Sequence, residues 1–183
     1  MHERVLVCYG TRYGSTGEIA ENIAEVLRSR GAEVEVVNLK KGRVRNLDAY
    51  DLVVVGSGIQ MGRWTKEPLN LIRKNREALS HKKVAFFVSC LSVAKPEACE
   101  QAQRDYLDKI VSEFPEIRPI SLGFFGGLID PTRGNFMTKS IMKALVQSFV
   151  EEGEEPPEYV DLRDWNQIRE WAEGLMPDPF SDS

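Results

Sequence analysis

Cysteine is scarce and badly spaced for a scaffold. Cys8, Cys90 and Cys99 are the three in 183 residues, and no two of them form a C-x-x-C pair. A disulfide framework, a zinc knuckle and a thioredoxin-like redox pair are therefore excluded, and a reducing cytoplasm is the expected setting. Histidine is scarcer still: His2 is terminal and His81 sits in a charged run, so both read as surface residues. No apolar run approaches the ~18–20 residues of a membrane span; VAFFV at 84–88 is typical of what is present. The first hydrophobic run begins at residue 4, so no signal peptide is expected. Positive charge is not in excess either. The net charge of -4 argues against a nucleic-acid partner. The balance is uneven, with +5 over residues 1–150 and -9 over residues 151–183, so an acidic tail follows a mildly basic body. Repeats and domain-sized linkers are also missing, and the length suits one domain.

What is present is a regular alternation. Residues 4–9, 33–38, 51–56, 83–89 and 117–125 read as strands, and 51–56 (DLVVVG) is nearly all apolar, as a strand covered on both faces should be. Between them, helices are expected at 16–30, over a segment that has Pro68 early in it and runs to about 79, and from Pro96 to about 113. Further helices are expected at 135–150 and 165–175. In the first, Ile19, Ile23, Val26 and Leu27 share a face, and Gly31 supplies the stop. In the helix at 135–150, Met137, Ile141, Leu145 and Phe149 form a stripe whose simplest reading is core; a membrane surface or partner beside Phe136 and Met137 is the alternative. Strands alternating with helices give an α/β sandwich with a mostly parallel sheet. Ligands then bind at the carboxyl ends of the strands.

Four loops lie at those ends, at 10–16, 57–65, 89–95 and 126–134, and the first three carry readable patterns. The first, YGTRYGSTGEIA at 9–20, combines the hydroxyls of Thr11, Ser15 and Thr16 with Gly10, Gly14 and Gly17 and a helix start. Such donors form a phosphate cradle. The loop lacks the lysine of G-x-x-x-x-G-K-[ST], so triphosphate hydrolysis is excluded. Cys8 and Arg12 are too close for the C-x5-R of a cysteine phosphatase. The second loop, GSGIQMGRW, offers Ile59, Met61 and Trp64 as one wall of a slot for a flat ring, or as plugs of the core, while Gly58 and Gly62 allow unusual backbone angles. The third, SCLSVAKPE, offers backbone amides and small contacts from Ser89, Leu91, Ser92 and Val93; Cys90 reads as a quiet, half-buried thiol. Phospho-acceptor receiver chemistry is excluded, because strand one ends Cys8-Tyr9-Gly10 and strand three ends Gly56-Ser57, without carboxylates.

These loops resemble those of the flavodoxin family. More narrowly, YGTRYGSTGEIA, GSGIQMGRW, FFVSCLSVAKPE, RGNFMTKSIMKAL and VDLRDWNQIREWAE are similar, in order, to blocks of the menaquinone-dependent protoporphyrinogen oxidases, flavodoxin-like FMN proteins of haem synthesis. The resemblance implies a three-layer sandwich with a five-stranded parallel sheet in the order 2-1-3-4-5. It implies one domain over residues 1–183, with 151–183 forming an acidic connection and a C-terminal helix packed on it. It also implies FMN, with the phosphate held by Thr11, Arg12, Tyr13, Gly14, Ser15 and Thr16. Ring contacts would come from Ser57, Gly58, Ile59, Gln60, Met61, Gly62 and Trp64, and from Ser89, Cys90, Leu91, Ser92 and Val93. Residues 128–142 match the segment that meets substrate or quinone in that subfamily.

The implied function is an FMN oxidoreductase passing electrons between a small substrate and a quinone. The alternative is an electron carrier docking to redox proteins. A homodimer and a peripheral membrane contact stay open. No histidine or carboxylate pair marks a catalytic base. Arg12, Arg63, Lys66, Lys95 and Arg133 outnumber Glu67, Glu97 and Asp130 in the mouth loops. Such cations favour an anionic reduced flavin and predict a raised second reduction step.

Overall fold

The computed structural model describes residues 3–151 and 153–176. His2, Glu152 and residues 177–183 of the acidic tail lie outside the described residues. The chain opens with β1 (Arg4–Gly10), α1 (Ser15–Ser29), β2 (Glu33–Asn38) and β3 (Leu52–Gln60). A two-residue return, β4 (Arg63–Trp64), leads into α2 (Lys66–Lys74), α3 (Arg76–Ser80) and β5 (Lys83–Cys90). Then come α4 (Pro96–Gln103), a π turn (Arg104–Asp108), α5 (Lys109–Glu113), β6 (Ser121–Gly126) and β7 (Leu128–Ile129). The chain continues through α6 (Phe136–Gln147), β8 (Val160–Asp161) and α7 (Trp165–Glu173).

The parallel strands lie in the order β2-β1-β3-β5-β6. With the short β4 left aside as an antiparallel appendage of β3, this is the expected 2-1-3-4-5 sandwich. Period-two alternation divides each strand between two cores. Leu6, Cys8, Val53, Val55, Phe86 and Val88 face the layer of α2, α3, the π turn and α5. Val5, Val7, Leu52, Val54, Ala85 and Phe87 face α1 and α7. On that second side Ile19 and Ile23 of α1 meet Ile168 and Ala172 of α7. Trp171 packs edge-on against Phe125 with ring centroids 5.4 Å apart.

Several expected boundaries move. The helix expected to run unbroken to about 79 has Pro68 early in it, as expected, but breaks at Asn75, whose side-chain amide donates to the Leu71 carbonyl (2.8 Å). The strand expected over 117–125 starts only at Ser121, because Phe114 to Ile120 cross to the sheet edge first, with the Ile117 N–H donating to the Phe114 carbonyl. Val26 is only half-buried, at the border of the α1 face. The small sheet of β7 and β8 was not anticipated. It draws the acidic connection back across the end of β6, where a Cβ on Gly126 would lie 1.8 Å from the Leu162 carbonyl oxygen.

The stripe on α6 is the largest correction. Phe136 is 92% exposed, Met137 79% and Ile141 63%, whereas the helix buries Met142 and Val146. The i, i+4 spacing of the stripe is real, but α6 lies over the sandwich's end and touches it along a neighbouring, narrower face. Tertiary placement, not periodicity, decides which face is inside.

Candidate functional site

The turn after β1 leaves donors over. Gly14, at φ 94°, begins α1 in the left-handed region, and no side chain caps the helix. The Gly14 N–H donates to Thr11 Oγ1 (3.0 Å), which closes the turn. Among the described residues, the N–H groups of Arg12, Tyr13, Ser15 and Thr16 have no partner. A helix start with four free donors and two hydroxyls on its first residues is built for an anion, and it contains no cation of its own except the exposed Arg12.

The three loops converge. Thr16 is 1% exposed, and a Cβ on Gly58 would lie 2.8 Å from its Oγ1, so the first turn presses against the end of β3. Tyr13 and Leu91 pack on one cluster with Ile129, Met142 and Val146, which joins the first and third loops at α6.

The second loop is largely strand. Ser57, Gly58, Ile59 and Gln60 belong to β3, which turns at Met61 and Gly62 and pairs back as Ile59 with Trp64 and Gln60 with Arg63. Met61 at φ 48° and Gly62 at φ 72° both lie in the left-handed region, the geometry of a tight I′ hairpin. Met61 stands 92% exposed at its tip. Trp64 corrects the expectation of an exposed wall: it is 8% exposed, its indole N–H donates to the Tyr106 carbonyl (2.7 Å), and it meets Phe86 edge-on. It fills the core because β4 turns it inward. Ser57 is fully buried; its hydroxyl accepts from the Thr65 N–H (2.9 Å) and pins the hairpin to α2.

In the third loop, Leu91, Ser92 and Val93 form a short 3-10 turn with half-exposed side chains. Ser89 is buried and donates to the Gly126 carbonyl (3.2 Å). Cys90 is buried rather than half-buried, and that burial raises its thiol pKa. Cys8 is likewise buried, with its pKa pushed well up by desolvation. His81 is exposed, as expected. Among the described residues no cluster suited to a metal ion is present.

Sequence reasoning missed one cluster beside the cradle. Arg163, with 5% of its side chain exposed, pairs with both Glu18 in the first turn of α1 and Asp161, and its guanidinium lies 4.6 Å from the Trp165 ring centroid. Arg133 pairs with Glu18 and with Asp130 (3.0 Å). Burial opposes ionisation of Glu18, but the hydrogen bonds from Arg163 and Arg133 outweigh it and hold its pKa below the ordinary value. Thr132 hydrogen bonding lowers Asp130 and Arg163 lowers Asp161. No local motif announces a contact that spans 145 positions from Glu18 to Arg163. Of the five mouth cations, Arg133 is thus neutralised. Arg12, Arg63, Lys66 and Lys95 have no ion pair among the described residues.

This arrangement, a parallel sheet with an anion cradle and two flanking loops at its carboxyl edge, coincides with a family match. The flavodoxin domain family model covers residues 6–155. The chain belongs to the flavodoxin domain family. This flavodoxin domain is 25% identical over 169 residues to protoporphyrinogen IX dehydrogenase (quinone) of Escherichia coli strain K12, covering 92% of each chain. A protein of the same description from Leishmania major is 25% identical over 179 residues, covering 97% of this chain and 77% of that one. Among solved structures, a short-chain flavodoxin associated with a bacterial microcompartment superposes with a TM-score of 0.59 at 16% identity, over 94% of this chain and 96% of that one. The flavodoxin domain is also related, through these matches, to quinone-linked oxidoreductases. Among the described residues, no helix is long and apolar enough to cross a membrane.

Proposed function

We propose that this flavodoxin domain binds FMN and is an oxidoreductase that passes electrons between a small substrate and a quinone, with protoporphyrinogen as the substrate. The observation that carries the cofactor is the set of four unpartnered N–H groups with Thr11, Ser15 and Thr16 at the start of α1, touching the end of β3. A solved flavoprotein of the same fold from Lactobacillus acidophilus is in complex with FMN; it matches 67% of this chain at 17% identity, with a TM-score of 0.50. The proposed substrate rests on the names of the relatives from Escherichia coli and Leishmania major.

In this reading residues 11–16 bind the phosphate through neutral donors and the helix start. Gly58, Ile59, Gln60, Met61 and Gly62 border one side of the ring, and Leu91, Ser92 and Val93 the other. Ser57, Trp64, Ser89 and Cys90 act from behind, fixing the hairpin and the ends of β5 and β6. The flavin, when bound, supplies the electron transfer; the chain orients it and shields it from water. The experiment has two stages. Purified protein is examined for bound flavin by absorbance and mass. It is then given protoporphyrinogen with a menaquinone analogue, and porphyrin fluorescence is followed. Formation well above autoxidation supports the reading, and a flavin-loaded protein that gives no excess contradicts the substrate.

A second reading, an electron carrier docking to redox proteins, is favoured by the exposed stripe of α6 beside the cradle. Rapid flavin reoxidation by a protein acceptor, with no porphyrinogen turnover, selects it.

A further inference from the structure

From Thr11 and Arg12 of the cradle and along the hairpin, a groove of about 960 Å³ runs down between α2 and the segment of the π turn and α5. It is of the size that takes a small molecule. Its floor is apolar: Trp64, Leu69, Tyr106 and Ile110 line it. The π turn at Arg104–Asp108 brings Tyr106 there, and the indole of Trp64 donates to that residue's carbonyl, so floor and hairpin are tied together.

The rim has the opposite character. Arg12, Lys40, Arg63, Lys66 and Lys109 stand around it, all exposed, and none is in an ion pair among the described residues. Three carboxylates share the rim, and two are already engaged: Glu113 with Arg73 at 2.8 Å, and Asp105 with the Gln101 amide at 2.9 Å. The contrast with the other flank of the cradle is sharp, because there Arg133 and Arg163 are fully matched by Glu18, Asp130 and Asp161. Matched charges hold the fold; a ring of unmatched cations around a greasy floor has electrostatic complementarity to something not in the chain.

We propose that this groove binds an amphipathic carboxylate: an apolar ring body laid on the half-buried Leu69 and Tyr106, over the edges of the core residues Trp64 and Ile110, with its carboxylates reaching Lys66, Lys109 and Arg63. Arg12 belongs to the cradle and Met61 to the hairpin tip, and both line the groove, so the ligand lies against the same hairpin as the proposed flavin. The inference deepens the oxidoreductase reading and rests on it for its redox meaning, while binding itself is independent of turnover.

The test uses the full chain supplied with FMN and deuteroporphyrin IX, a fluorescent ring with two propionates. Fluorescence titration is run on the wild type and on the double variant Lys66→Glu, Lys109→Glu, with FMN affinity and melting temperature measured on both. Saturable binding by the wild type, weakened at least about tenfold in the variant and weakened by salt, is expected, with FMN affinity unchanged. The neutral dimethyl ester is expected to show no difference between the two proteins. Equal porphyrin binding by both proteins, no saturable binding by the wild type, or a variant that loses FMN in parallel would overturn the groove assignment. Charge-dependent porphyrin binding by a protein that takes up no FMN would instead overturn the flavin reading and leave the groove standing.

Discussion

Met61 shows how a single residue reveals the cost of a site. An I′ hairpin prefers Asn-Gly, yet a methionine occupies the first turn position at φ 48° and exposes nearly its whole side chain. Met61→Asn is expected to raise stability by about 0.5–1 kcal/mol in a denaturant melt, since asparagine tolerates the left-handed region. If stability falls instead, the strain argument is wrong. Thr16 belongs to the same scale. Its hydroxyl faces the end of β3, and Thr16→Val keeps the shape while removing a donor. FMN affinity is expected to fall about tenfold with the fold intact, the worth of one hydrogen bond to a charged group. The donors of this turn were legible because Gly, Ser and Thr crowd a strand-to-helix junction. The inward turn of Trp64 was not, since a two-residue strand has no period to read.

At the scale of elements, α6 separates pattern from placement. Its apolar stripe was visible in the sequence, but the side it packs on depends on β7, β8 and Tyr13, which come from distant parts of the chain. Met142→Ala should therefore cost about 2 kcal/mol, as loss of a buried side chain does, while Met137→Ala should change stability by less than about 0.5 kcal/mol. Chemical denaturation of both variants checks this; equal effects would mean that the stripe is covered. The parallel strands fared better in sequence reasoning. Their apolar runs, or in β2 the EVEVVN alternation, are bounded by Gly and charged residues, so four of the five starts fall within one residue of expectation. Only β6 starts late.

At the scale of the whole molecule, one charge cluster fastens the C-terminal return to the cradle. Arg163 joins α1, through Glu18, to β8, through Asp161, and so ties the C-terminal return to the cradle. Glu18, Asp130 and Asp161 are each held below their ordinary pKa. Their pairing therefore stabilises the fold fully above about pH 5 and is lost as pH falls through their folded-state values. The melting temperature is expected to be level from pH 7 to about pH 5 and to drop below about pH 4. Arg163→Met should start from a plateau lower by about 2 kcal/mol, less than a fully buried pair would cost because its carboxylate partners are part-exposed, and should show a shallower acid drop. An unchanged acid profile in that variant would show that the cluster is ornamental.

All of this depends on a dianionic phosphate being held by neutral amides and hydroxyls at the head of α1. The most direct measurement compares FMN with riboflavin, which lacks the phosphate, by fluorescence quenching on flavin-free protein. The predicted result is FMN binding at least about 100-fold tighter, the worth of two charge-assisted hydrogen bonds. Equal affinity for the two, or uptake of neither, would contradict the account.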